Sequence, residues 1–518
     1  MEWMSRGAVM AVALWGVAGC GGGGGGDPAG PAPSNTFRPG IFQPSSSLAN
    51  QCASPRSGTS DRSGSAFTEN MFLRSWTNEL YLWYSEVPDR DPTGSTTADY
   101  FRILKTPATT ASGRDKDQFH FTYSTAQWEQ LSQAGVEIGY GVQWVVISNA
   151  PPRRVLAAYV EPGTPAANLN PPLPRGAEVL MADGVDVVNA TGGNVGTQLN
   201  AAFYPTAAGQ THTFQIRETS GVVRTISMNS VAVTHQPVLD SRVLDASGVP
   251  VGYLLFNDHI ATAESQLVSA INSFRTAGVQ ELILDLRYNG GGFLDIASEL
   301  SYMIGGSMTT GQTFERLVFN DKNPNTNPVT GQALTPTPFH TTARGFSVAT
   351  GTRLPTLNLT RVYVITGNNT CSASESIING LLGVGVQVYQ IGSTTCGKPY
   401  GFYPQNNCGT TYFSIQFEGR NAQGFGTYPD GFTPENSRDF GSVELPGCSV
   451  ADDFTRALGD PLEARLSAAL GFLASNNQVC PAPSGVAPGG EFSSKTTLSS
   501  ESAEMHKSPA RMNRLLRE

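Results

Sequence analysis

Ser372 and Lys398 are the residues whose types and surroundings point first to chemistry. Ser372 lies in TCSASES (370–376), directly after the apolar run 362–365. Lys398 lies in TTCGKPYGF (394–402), directly after the run 388–391. The chain has six lysines, and Lys398 stands alone between Lys322 and Lys495. A serine at a strand-to-helix turn and a lysine after the next strand can meet at one edge of a sheet. A serine hydroxyl is a poor nucleophile until a base removes its proton, and an amine can be that base only when its charge is suppressed. Gly397, Pro399, Tyr400 and Phe402 offer no carboxylate to hold the charge of Lys398, so partial desolvation should lower its pKa by about 3 units.

A tetrahedral oxyanion needs donors. The amide of Ala373, next after the serine and at the start of an expected helix 373–384, is one candidate. The glycine run 290–292 is the other, because glycine permits positive φ and close backbone approach. That run follows a buried strand and DLRYN, and Asp285, Arg287 and Asn289 are read as residues that hold the loop in shape. The six histidines are scattered, with no HExxH, and no close cysteine pair suits zinc. No metal or cofactor is expected, and His259 is read as structural.

These residues need elements to position them. In 234–475, strand-like runs at 248–257, 281–292 (ending in glycines), 361–367 and 386–392 alternate with helical patterns. Such alternation predicts a multidomain α/β protein whose core is a mainly parallel sheet with covering helices. The glycine loop, Ser372 and Lys398 all fall at carboxyl ends of strands, where α/β sheets place their sites. Before the core, 66–130 carries aromatic residues at helical spacing and is read as an N-terminal helical unit. Residues 131–233 read as a small β-rich unit with Pro-Gly and Asp-Gly turns. It resembles a PDZ domain. Residues Gly139, Tyr140, Gly141 and Val142 match that family's Gly-Φ-Gly-Φ loop, which implies binding of a peptide's terminal carboxylate and strand addition.

Residues 1–19 read as an export leader, with Arg6 before a short apolar stretch. Val17-Ala18-Gly19-Cys20 resembles a bacterial lipobox, which implies lipidation of Cys20. Gly21 resembles the sorting signal for the outer membrane, so the expected location is the cell envelope, lipid-anchored and facing the periplasm. Residues 20–65 are rich in Gly, Pro and Ser and are read as a disordered tether. Residues 476–518 are read as a disordered tail, with a short helix near 511–517. A net charge of −9 without a basic stripe argues against a nucleic-acid partner. Six cysteines remain beyond Cys20, and exported chains form disulfides. Cys371 and Cys396 flank the two candidate catalytic residues, so they are expected to pair. Cys408 with Cys448 is a second expected pair.

Taken together, DLRYNGGG, CSASE and TTCGKPYGF after a PDZ-like unit resemble the tail-specific, or C-terminal processing, peptidases over roughly 66–470. The resemblance implies a serine endopeptidase that acts on proteins or peptides with free C-termini. By position it places the nucleophile on Ser372, the general base on Lys398 and the oxyanion donors on Gly291 and Ala373, with Ser374 and Glu375 in support. Many members carry a glutamine four residues after the lysine; here Phe402 stands there. The serine-to-lysine spacing is also one residue longer than usual. A catalytically weak PDZ-containing binding protein is therefore the alternative expectation.

Overall fold

The computed structural model describes residues 36–437, 440–484 and 514–515. The leader, Cys20 and most of the expected tail lie outside the described residues. Helix α1 (Ala66–Leu80) is capped by Ser65, whose hydroxyl accepts from the Thr68 amide, and α2 (Thr97–Arg102) by Thr96. Phe72, Trp76, Tyr100 and Phe101 form their shared core. Residues 36–65 are not a free tether. A short helix (Ser45–Leu48) and the Cys52–Cys408 disulfide hold this stretch to the folded core.

The next unit is a sheet of β1 (Val142–Ser148), β2 (Arg154–Val160), β3 (Glu178–Ala182), β4 (Thr211–Arg217) and β5 (Val223–Asn229). Its spatial order is β5-β4-β3-β2-β1, so β1 is an edge. Helix α3 (Val195–Phe203) covers it, with Leu199 and Phe203 packed on Trp144 and Phe214.

The core sheet runs β6 (Val238–Ala246), β7 (Val249–Phe256), β8 (Glu281–Asp285), β10 (Arg361–Thr366), β11 (Gln387–Gly392) and β13 (Gly447–Ser449). The steps from β7 to β13 are all parallel, while β6 is antiparallel to β7. Alternating side chains serve opposite faces. Leu254, Leu284, Val364 and Val388 face α4 (Ala263–Thr276), α5 (Leu294–Gly305) and α6 (Ala373–Gly383). Tyr253, Ile283, Ile365 and Ile391 face α7 (Ala464–Ala474). Burial on both faces explains why these strands read as continuous apolar runs. Two short strands flank the carboxyl ends, β9 (Gly292–Phe293) and β12 (Tyr400–Gly401).

Two expectations need correction. Cys408 does not pair with Cys448. Pairing of Ile391 with Cys448 turns Cys448 to the α7 face, where Cys480 closes on it, whereas Cys408 lies beside Cys52. The expected tail is ordered at both of its described parts. Residues 476–484 are fastened by Cys448–Cys480 and by Tyr363 donating to Asn477 Oδ1. Arg514–Leu515 forms a strand, β14, not a helix.

Candidate active site

Ser372 closes the turn between β10 and α6. Its φ of 62° and ψ of −115° lie where a residue with a side chain rarely goes, a strain of order 1–3 kcal/mol that the surroundings must sustain. They do so with several bonds. The Gly367 amide donates to Thr370 Oγ1, and Thr370 Oγ1 donates to the Leu286 carbonyl. The Cys371 amide and the Ser374 hydroxyl both donate to the Asn289 carbonyl, at 3.1 and 3.0 Å. The serine turn and the glycine loop are thereby bolted together. Ser372 is fully buried, and its Oγ has no hydrogen-bond partner.

Lys398 follows β11 and is also fully buried. Its Nζ lies 4.7 Å from the centre of the Phe119 ring and 4.5 Å from that of Phe402. Burial pushes its pKa down from 10.5 to about 7, against the opposing pull of the Asp117 and Glu375 charges. A cation in apolar surroundings loses its hydration, so the neutral amine is favoured. Phe402, where the resembling family often has glutamine, is thus part of the dry wall around the amine.

Glu375 joins the two residues. Its Oε2 accepts from the amides of Ser372 and Lys398 at 2.9 and 2.8 Å. Its Oε1 accepts from the Gly397 amide and the Thr395 hydroxyl at 2.9 and 2.6 Å. Burial raises its carboxyl, and these four bonds pull the other way. The Cys371–Cys396 disulfide, with Cα atoms 5.2 Å apart, forms a second tie between the same loops. Among the described residues, each cysteine–glutamate group close enough for a metal contains a disulfide pair, here Cys371 with Cys396 and elsewhere Cys52 with Cys408, so their sulfurs cannot act as thiolate ligands.

The glycine loop is shaped by charge. Arg287, fully buried, donates to both carboxylate oxygens of Glu463 at 2.8 and 2.9 Å, and to Asp285 and Asp452. Asn289 is clamped further: its Nδ2 donates to the Phe256 carbonyl, while its Oδ1 accepts from the Gly291 amide at 2.9 Å. Gly291, expected as an oxyanion donor, therefore spends its N–H on Asn289 in this arrangement. His259 Nδ1 lies 3.0 Å from the same Oδ1, and burial pushes the imidazole down to about 3, so it is neutral. A Cβ on Gly292 would come within 2.5 Å of the His259 carbonyl, which is why glycine stands there.

Residues 139–142 lie on the wall of a cavity of about 280 Å³. The edge strand β1 and the end of α3 at Phe203 and Tyr204 flank it, and it extends to Tyr288 and Asn369. Tyr288 leads into the glycine loop and Asn369 precedes Ser372 by three residues. Glu137, Glu161 and His235 form a hydrogen-bonded cluster in the same wall, with Glu161 Oε1 at 2.5 Å from His235 Nδ1.

Residues 250–401 match the family model of peptidase family S41. This stretch of the core resembles the S41 peptidases. A carboxyl-terminal-processing protease of Picosynechococcus sp. is 27% identical over 174 residues, 33% of this chain and 39% of that relative. The match thus spans about two fifths of that relative's length. A crystal structure from Bacteroides fragilis assigned to the S41 proteases covers 78% of this chain and 97% of its own, at 24% identity and a TM-score of 0.55, a likeness of fold. The match to the family begins within β7 and ends with β12, so it holds Ser372, Lys398, Glu375 and the glycine loop.

Phe119 and Asp117 were not legible as site residues. They come from the N-terminal unit, far away in sequence, and no motif marks them. Glu375 carries a sequence signal, three residues after the serine in SASE, but its link to the lysine loop is visible only in space.

Proposed function

We propose that the chain is a serine peptidase that cleaves proteins or peptides near their C-termini through a Ser372–Lys398 dyad. One observation carries this reading: Lys398, whose fully buried amine has a pKa near 7, and the strained Ser372 donate their backbone amides to the same carboxylate oxygen of Glu375. Neutral Lys398 Nζ takes the proton of Ser372 Oγ as that oxygen attacks the scissile carbonyl. The oxyanion forms against the Ala373 amide and a second donor, Gly291, once its bond to Asn289 is given up. Collapse expels the amine product, which takes the proton back from the lysine. Water then attacks the acyl-enzyme with the same lysine as base.

The 131–233 unit takes the role of a PDZ domain. A peptide would add along the β1 edge with its carboxylate at residues 139–142, and the cavity's reach to Asn369 gives its chain a route toward Ser372. Lipidation at Cys20 would tether the enzyme in the bacterial envelope. A second reading, a binding protein with weak catalysis, draws on the unbonded Ser372 Oγ and the occupied Gly291 amide. Hydrolysis of a peptide with a free C-terminus decides between them. The peptidase reading expects Ser372→Ala to lower kcat by at least about 10³-fold; equal rates for parent and variant would remove it.

A further inference from the structure

Strand β14 (Arg514–Leu515) pairs in parallel with β9, Arg514 opposite Gly292 and Leu515 opposite Phe293. Its Cα atoms also approach within 8 Å of those of β12. The two neighbours are informative. β9 starts immediately after Gly291, and β12 starts two residues after Lys398. A piece of the chain's own sequence therefore lies as a strand between the glycine loop and the lysine loop.

We infer that the 514–515 segment is a tethered competitor, which occupies by strand addition the place that a substrate backbone would take beside the dyad. The inference rests on the peptidase reading for its kinetic arm only. Strand addition gives main-chain hydrogen bonds to whatever segment lies in the ladder, so one ladder cannot serve two occupants. A tethered occupant is present at high effective concentration. If the site is open only one third of the time, the apparent KM rises about threefold while kcat is untouched.

The test uses the full chain with Arg514→Pro and Leu515→Pro together, since proline removes the ladder donor. Against an internally quenched peptide with a free C-terminus, the variant should show a KM at least threefold lower and an unchanged kcat. A synthetic peptide with the sequence of residues 508–518 should inhibit it competitively. An unchanged KM without inhibition by that peptide overturns the inference. A second arm needs no activity. With Ser372→Ala added to both chains, the fluorescein-labelled 508–518 peptide should bind the proline variant at least threefold more tightly than its parent, and equal affinity overturns the inference. Absence of hydrolysis by every chain, with the binding difference present, would count against the peptidase reading alone. Loss of the segment's mass from the parent, but not from Ser372→Ala, would show a substrate instead of a competitor and overturn the inference too.

Discussion

The backbone amides of Ser372 and Lys398 donate to one and the same atom, Oε2 of Glu375. Two loops, one between β10 and α6 and one between β11 and β12, are thus registered by a single buried carboxylate. The hydroxyl and the amine of a dyad must be placed to within a fraction of an ångström, and Glu375 sets the backbone from which both side chains depart. Glu375→Gln leaves one oxygen to do the work of two. Its amide group has to face either the Ser372 and Lys398 amides or the Gly397 amide and Thr395. Thr395 can rotate its hydroxyl to accept, so the second choice costs less and still leaves the Gly397 N–H unpaired, a loss of about 1–3 kcal/mol. The expected outcome is a lower melting temperature by several degrees and a kcat reduced about 10- to 100-fold at nearly constant KM. An unchanged kcat would dismiss Glu375 as a positioning residue.

On the proposed mechanism, Lys398 sets the pH dependence. The base must be uncharged, and burial brings its pKa to about 7, so kcat/KM should rise with pH along a limb centred near 7. Phe119 and Phe402 make opposite contributions: they exclude water, which lowers the pKa, and their ring faces attract a cation, which raises it. The net shift is downward, so exclusion wins. Phe119→Ala should therefore admit water and move the limb to higher pH. Movement to lower pH would show that the ring acts mainly as a cation partner. Lys398→Met removes the buried amine. Because the folded pKa lies below the unfolded one, the cost of charging this amine is fully present below pH 7 and relieved between 7 and 10.5. The variant should thus gain most in melting temperature on the acid side, while losing activity.

Cys371–Cys396 clamps the loops that Glu375 bridges. A crosslink across a loop of this length stabilises by about 3 kcal/mol. The paired variant Cys371→Ser and Cys396→Ser should keep the fold, since Glu375 and the sheet remain, but melt lower and lose activity about 10-fold through a looser turn. Full activity of the variant, or of the parent after reduction verified by thiol labelling, would show that the bridge is dispensable.

The sequence was most legible where one physical rule decides. Runs buried on both faces marked β7, β8, β10 and β11, and their carboxyl ends placed Ser372, Lys398 and the glycine loop in one neighbourhood. Cys371 with Cys396 followed from the same convergence. Legibility failed where contacts span long distances without a pattern. The Cys52–Cys408 bridge joins residues 356 apart, and the Gly/Ser-rich stretch around Cys52 reads as unstructured because its order comes from the partner surface. Phe119 reaches Lys398 across a comparable separation. The Gly291 amide was expected in the oxyanion site, yet Asn289 takes it, because an asparagine side chain two residues away can complete a local turn.

A pair of carboxylates behind the site gives a last expected outcome. Glu264 and Glu299 are buried side by side on α4 and α5. Glu264 accepts from the amides of Arg344, Gly345, Ser347 and Val348, and stays well solvated by them. Glu299 has the Arg344 amide at 2.7 Å on one oxygen, and its other oxygen has no partner. Burial first, and then the Glu264 charge, push Glu299 up to about 9. A carboxyl raised in the folded state binds its proton more tightly there than in the unfolded chain. Its stabilisation is fully present below the ordinary value of 4.5 and is lost as pH rises through 9. Lys398 works in the opposite direction above 7, so the parent's melting curve alone mixes the two. Glu299→Gln isolates the effect, because a neutral isostere keeps the shape and carries no titration. The melting temperature of the variant minus that of the parent should be near zero or negative at pH 5 and become clearly positive at pH 9. A difference that stays constant across that range would mean that Glu299 does not hold a proton in the folded chain, and that the 344–348 loop neutralises both carboxylates.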